Sequence, residues 1–209
     1  MIGCGADVAV TSVAVMGGTF DPIHHGHLFA AEEVGAHFGL SQVIFMPCRR
    51  PPHKPAGAVS PAEHRYRMAA LAVASNPRFA VSRLELERAG PSYTIETLRE
   101  LRRQRGAALE IFFITGADAV LEIMTWREPD AVLDECRLVA VHRPGYDLDK
   151  LARVLGPERA AKVEPLAVKT LDISSTELRQ RVAQGQSIRY LTPEAVSDYI
   201  QENGLYRGR

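Results

Sequence analysis

The sequence has little cysteine, no net charge and no long apolar run, and each shortage narrows what the protein can be. Its three cysteines, Cys4, Cys48 and Cys136, are odd in number, scattered and never arranged as Cys-x-x-Cys. That spacing argues against a disulfide framework or a structural zinc site, and suits a reducing cytoplasm. No apolar stretch approaches the ~18 residues of a membrane helix, so no membrane partner is expected. Met1 to Thr11 lacks a positive n-region and a long apolar core, so it does not read as a signal peptide. Basic and acidic residues both number 25, for a formal charge of zero. A nucleic-acid partner is therefore not expected, because such binders usually carry a basic face. Hydrophobic residues make up 46% and charged residues 24%, the balance of a globular protein, and 209 residues suffice for one core. Repeats, low-complexity tracts and a linker are all missing. One domain over residues 1–209 is expected, soluble and cytoplasmic, with 1–7 as a ragged extension.

What is present is a regular alternation of strand and helix signals. Apolar runs at Val13–Met16, Val43–Met46, Leu109–Ile114 and Leu138–Val141 read as buried strands, with further strands expected at Phe79–Leu86 and Val163–Val168. Helical spacing follows at Leu28, Ala31, Val34 and Phe38, with Gly39 as a stop. Ser60-Pro61-Ala62-Glu63 predicts a capped helix to about Ser75, presenting Tyr66, Ala69, Ala70 and Val73 inward. Thr94–Arg103, a short helix to Met124, Pro129–Glu135 and Leu148–Leu155 continue the pattern. Residues 173–209 form a helical C-terminal part with two helices, the second opened by Thr192-Pro193 and stopped by Gly204. Continuous rather than alternating apolar strands imply an α/β fold: a doubly wound, Rossmann-like parallel sheet covered on both faces. Its ligand belongs beyond the carboxyl ends of the strands. Gly17, Lys54, Gly116 and Arg143 all follow strand ends, so separate loops converge on one edge.

The centre of the pattern is Gly17-Gly18-Thr19-Phe20-Asp21-Pro22-Ile23-His24-His25-Gly26-His27, between a strand and a helix. Glycines there let the backbone approach a ligand, and a helix start offers unpaired N–H groups to an anion. The stretch from Cys48 to Val59 carries three prolines and Arg49, Arg50, His53 and Lys54, a stiffened loop suited to facing a phosphate. Two common nucleotide fingerprints are absent. There is no G-x-x-x-x-G-K-[ST], and Gly3-Cys4-Gly5 lacks a third glycine and precedes its strand. Ser174 and Glu177 would make a capping box by themselves. His37 and His64 read as structural or surface groups. Ligation of a metal by His24, His25 and His27 has no H-E-x-x-H pattern or carboxylate pair behind it, so no metal site is expected.

Taken together, His24-x-Gly26-His27 and Ile173-Ser174-Ser175-Thr176-x-x-Arg179 resemble the nucleotidyltransferase superfamily. Within it, the chain resembles the bacterial nicotinate mononucleotide adenylyltransferases. The shared stretches span nearly the whole chain: GGTFDPIHHGH from Gly17, PPHK from Pro51, GPSYTIETL from Gly90, TGAD from Thr115, Trp126, HRPGY from His142, ISSTELR from Ile173 and SIRYLTP from Ser187. The resemblance implies transfer of AMP from ATP, with Mg²⁺ assisting, to nicotinate mononucleotide, giving nicotinate adenine dinucleotide and pyrophosphate. It assigns His24 and His27 to the ATP phosphates, with Lys54 and Arg179 completing the catalytic set. It places Gly17, Gly18, Thr19, Phe20 and Gly26 around the nucleotide phosphates and Asp118, after Gly116, at a ribose hydroxyl. It also places Arg143, Ser174, Ser175 and Thr176 at the β- and γ-phosphates. Trp126 would stack on the pyridine, and Tyr93 and Thr94, at a helix start, would take its carboxylate. Other readings stay open: an adenylyltransferase for nicotinamide mononucleotide or phosphopantetheine, or a non-catalytic nucleotide sensor. A homo-oligomer is compatible with all of them.

Overall fold

A computed structural model describes residues 12–52, 55, 57–143, 145–169 and 171–207. The stretch expected to be a ragged extension and the expected catalytic Lys54 lie outside the described residues. Strands β1 (Ser12–Gly18), β2 (Val43–Pro47), β3 (Phe79–Val81), β4 (Glu110–Gly116), β5 (Arg137–His142) and β6 (Val163–Ala167) alternate with helices. These are α1 (His25–His37), α2 (Ala62–Val73), α3 (Leu84–Glu87), α4 (Thr94–Arg105), α5 (Ala117–Leu121), α6 (Pro129–Glu135), α7 (Asp149–Leu155), α8 (Pro157–Ala160), α9 (Ser175–Ala183) and α10 (Glu194–Glu202). A 3₁₀ turn, Ile123–Thr125, follows α5.

All strand pairs are parallel, in the order β3-β2-β1-β4-β5-β6. The four inner strands, β2, β1, β4 and β5, bury both faces, which is why each carries a continuous apolar run, while the edge strands β3 and β6 are only partly covered. Ala14, Met16, Phe45 and Ile114 face α1, α2, α9 and α10, where they meet Ala31, Met68, Leu178 and Val196. Val13, Val15, Ile44 and Phe113 face the other way, onto Ile95, Leu98, Val120 and Val132 of α4 to α6. Full burial of such a side chain contributes roughly 1.5–3 kcal/mol. The helices α9 and α10 of the C-terminal part share the first of these cores with the sheet. The strand order runs outward in both directions from β1 and β4, and their adjacent carboxyl ends form the crevice where such sheets bind ligands.

Two local expectations are corrected. The third strand stops at Val81 instead of Leu86: Ser82 N–H bonds to Phe45 O, and Ser82 Oγ then accepts from Leu84 N at 3.2 Å, turning the chain into α3. Ser60 does not cap α2, which begins after Pro61. Its N–H instead donates to Asp21 Oδ2 at 3.1 Å, and its carbonyl accepts from Arg65 Nε at 2.9 Å. The buried face of α2 is turned accordingly, to Arg65, Met68, Ala69, Ala72 and Val73, leaving the expected Tyr66 and Ala70 half-buried.

Arg65 is completely buried. Besides Ser60, its guanidinium donates to Thr19 O at 2.8 Å and Arg49 O at 3.0 Å. One side chain thus joins the loops after β1 and β2 to the start of α2. Replacing Arg65 by Met removes a buried charge but leaves three interior carbonyls without donors. The net expected loss is about 2–4 kcal/mol, read as a lower urea midpoint with an unchanged m-value.

Candidate active site

β1 ends at Gly18, and the chain reverses through Thr19 to His24 before entering α1. Phe20 adopts φ +51°, a left-handed backbone that few non-glycine residues occupy. Its ring folds back so closely that a Cβ on Gly18 would lie 2.9 Å from it, so glycine is required there. Four carbonyls of this reversal are held by side chains from elsewhere. Arg65 takes Thr19 O, Arg179 Nη1 takes Asp21 O at 2.7 Å, Ser175 Oγ takes Pro22 O at 2.8 Å, and Thr192 Oγ1 takes Ile23 O at 2.8 Å. The buried Asp21 carboxylate accepts from Tyr206 OH at 2.7 Å and from the Ser60 N–H.

The histidines at the helix start stack, with ring centroids 3.7 Å apart. His24 N–H donates to His27 Nδ1 at 3.3 Å, so the neutral His27 ring carries its proton on Nε2. Burial, reinforced by His25, lowers the His24 pKa to about 4, and burial, reinforced by His24, lowers that of His27 to about 3. Both rings are neutral donors at neutral pH. His24 Nδ1 is buried with no hydrogen-bond partner. A Cβ on Gly26 would press on that atom at 3.0 Å, so the glycine leaves the ring its place. In the first turn of α1, His25 N–H is taken by Leu191 O, and those of His27 and Leu28 by His24 O. The Gly26 N–H has no acceptor among the described residues.

Two cavities open at the carboxyl ends of β1 and β4 and share Gly17 and Thr115. The first, about 600 Å³, is lined by the expected Gly17, His24, Gly26, His27, Gly116, Asp118 and Arg143, together with His142 and Tyr146. The second, about 340 Å³, is lined by the expected Gly17, Gly18, Thr19, Tyr93, Thr94 and Trp126, together with Glu85 and Arg127. Both volumes fall in the range of ligand pockets. Trp126 meets Phe113 edge-on at 6.3 Å, and Arg127 lies over the Tyr93 ring at 4.8 Å. Thr94 is the first residue of the 12-residue helix α4, with Tyr93 at the N-cap position and no side-chain cap, so the start of that helix borders the second cavity.

Not every expected residue reaches a cavity. Phe20 is buried and lines neither; its ring stands edge-on to His27 at 5.2 Å. Ser174 caps α9, accepting from Glu177 N at 3.1 Å. Ser175 and Arg179 hold the reversal, and Arg179 Nη2 also bonds Thr176 Oγ1 at 3.2 Å. None of these four lines either cavity; Ile173, just ahead of them in the chain, lines the first. Sequence reasoning did not single out Asp21, Arg65, Glu85 or Tyr206. Arg65 had a signal, since it shares a helix face with Ala69 and Ala72; Tyr206 had none. His64, expected to be structural, hydrogen-bonds Tyr199 OH at 2.9 Å.

The arrangement is that of a nucleotide-transferring site, and the chain belongs to the cytidylyltransferase-like family, whose model matches residues 15–181. It is 50% identical over 200 residues to a Moorella thermoacetica protein named "Probable nicotinate-nucleotide adenylyltransferase", covering 94% of this chain and 92% of that one. A Leifsonia xyli protein of the same name is 52% identical over 196 residues, covering 93% of this chain and 94% of the relative. Among solved structures, Plasmodium falciparum nicotinic acid mononucleotide adenylyltransferase complexed with NaAD matches with a TM-score of 0.77 at 19% identity, covering 93% of this chain and 97% of that one. That last likeness is one of fold. Among the described residues no helix is long and apolar enough to cross a membrane, and no group of three or more His, Cys, Asp or Glu is placed to hold a metal ion.

The neutral histidines make the fold acid-sensitive. Unfolded histidine binds a proton near pH 6.5, whereas folded His24 does so only near pH 4. Between those values the unfolded state holds more protons, so stability falls as pH falls. From pH 7 to pH 5, His24 accounts for about 2 kcal/mol of that fall, and His27, shifted in the same direction, adds to it. Urea midpoints at the two pH values should converge in a His24→Asn/His27→Asn variant.

Proposed function

We propose that the protein transfers AMP from ATP to nicotinate mononucleotide, releasing pyrophosphate and forming nicotinate adenine dinucleotide. The observation that carries this reading is the pair of cavities meeting at Gly17 and Thr115, one lined by phosphate donors and the other by an aromatic and a helix N-terminus. The names of the relatives, at about half identity over nearly full length, support the same reaction.

ATP lies in the first cavity. Gly26 N–H and His27 Nε2–H donate to its α-phosphate, and His24 and Arg143 border the same phosphates. Asp118 takes the ribose hydroxyls. The start of α9, with Ser174, Ser175, Thr176 and the second guanidinium nitrogen of Arg179, faces the β- and γ-phosphates, and Lys54 approaches from its loop. ATP arrives as its magnesium complex. The ion travels with the triphosphate, and the protein's own share is the set of donors around it.

Nicotinate mononucleotide lies in the second cavity. Its ring stacks on Trp126, and its carboxylate meets the open N–H groups of Tyr93–Thr94 at the start of α4, which a neutral carboxamide would use less well. Its phosphate lies at Gly17–Thr19, on the border with the first cavity. An oxygen of that phosphate bonds to the α-phosphorus, the bond from the α-phosphorus to the bridging oxygen breaks, and the electron pair leaves with pyrophosphate. The nucleophile is already ionised, so no base is needed. Alignment and charge stabilisation are the protein's share. A reducing cytoplasm is the compartment that suits its free buried thiols, Cys48 and Cys136.

A pyrophosphate-release assay with ATP and a panel of acceptors tests the reading. We expect kcat/KM for nicotinate mononucleotide to exceed that for nicotinamide mononucleotide by about tenfold or more, and phosphopantetheine to be inert. Comparable values for the two pyridine nucleotides would overturn the carboxylate site, and ATP binding without turnover would favour a sensor. His27→Ala should lower kcat by about 100-fold or more with KM values little changed, because its contact strengthens in the transition state.

A further inference from the structure

We propose that Tyr206, which lies outside every recognised motif and lines neither cavity, is a positioning residue for His27, acting through Asp21 and Phe20. The proposal rests on the reading of His27 given above. Tyr206 follows α10 and is buried, with its hydroxyl 2.7 Å from Asp21 Oδ1 and 3.9 Å from Met68 Sδ. Its backbone sits at φ +65°, a left-handed conformation that a bulky residue keeps only when its surroundings hold it there. Burial, and then the neighbouring Asp21 charge, raise its pKa, so the phenol keeps its proton and remains a donor.

Asp21 is 2% exposed and has two donors for its carboxylate, Tyr206 OH on one oxygen and Ser60 N–H on the other. Its neighbour in the chain is Phe20, itself held at φ +51°. The Phe20 ring stands edge-on to His27 at 5.2 Å, and His27 stacks on His24 at 3.7 Å. Every link is buried or packed between fixed groups. Removal of the tyrosine hydroxyl leaves a buried carboxylate oxygen without a donor, and a charge in that state must turn or admit water. Whichever way Asp21 responds, the disturbance falls on the backbone beside Phe20, whose ring packs edge-on against His27. A displacement of a fraction of an ångström at a phosphate donor is enough to weaken a preorganised site.

Tyr206→Phe keeps the ring and its packing. With ATP and nicotinate mononucleotide, we expect kcat to fall about tenfold while both KM values stay within about twofold. In a His27→Ala background the same change should lower kcat by no more than about twofold, since the donor that Tyr206 positions is then gone. Asp21→Asn should behave alike, and gives a second variant if Tyr206→Phe folds poorly. A purely structural tyrosine would lower thermal stability and leave kcat within twofold of the parent, or lower kcat equally in both backgrounds; either result overturns the proposal. The His27 Cε1–H resonance supplies a readout that does not depend on turnover. It should move in Tyr206→Phe, and an unmoved resonance would also overturn the proposal. A parent protein that makes no pyrophosphate while this resonance moves would count against the proposed reaction alone.

Discussion

The structure depends on how one short loop is gripped. Between Thr19 and Ile23 the chain must leave a buried strand, reverse with Phe20 in a left-handed conformation and present a helix start to the crevice. Left to itself, such a segment would hydrogen-bond to water and relax. Instead, Arg65 of α2, Ser175 and Arg179 of α9 and Thr192 ahead of α10 each take one of its carbonyls. Interior carbonyls must find donors, and here the donors come from three separate parts of the chain. The loop can reach its native shape only when the helices on that face have packed. Site geometry and the core of that face are therefore one cooperative structure.

That grip also explains the division of labour across the crevice. The parallel sheet brings the ends of β1 and β4 side by side, and the cavities on either side of them share Gly17 and Thr115. Nothing in the layout requires a covalent intermediate. In the proposed reaction, two phosphates meeting at the shared border need only be aligned and have their charge met by fixed donors. Fixed donors are what the gripped loop supplies.

The four inner strands are legible in the sequence because a parallel sheet buries both their faces and leaves continuous apolar runs, and most helices are legible from their spacing. Legibility fails where a tertiary contact outranks a local rule. Ser60 looks like a helix cap, yet Asp21 and Arg65 claim its backbone, and Pro61 takes the cap position. The run from Phe79 to Leu86 looks like one strand, yet Ser82 turns it at the sheet edge. Within the site, His24 and His27 are legible because a helix start between glycines has few other uses for them. Ser175 and Arg179 stand out in the sequence as parts of a motif, but their bonds to Pro22 and Asp21 do not, since nothing local announces a carbonyl more than 150 residues away. Tyr206 is the extreme case, its contact lying 185 residues off.

The protonation state of His27 ties these points to the chemistry. A histidine facing a triphosphate would ordinarily gain a second proton as the substrate's negative charge raises its pKa. Here Nδ1 accepts from the His24 main chain, and a second proton would have to break that bond. Burial opposes the cation as well. The ring is therefore held as a neutral single donor at Nε2, which in the proposed reaction stabilises charge on the α-phosphate without surrendering a proton. Pyrophosphate is a good leaving group at neutral pH and needs no protonation. A general acid would add nothing to such a departure, whereas a donor locked in place by a gripped loop stabilises it throughout.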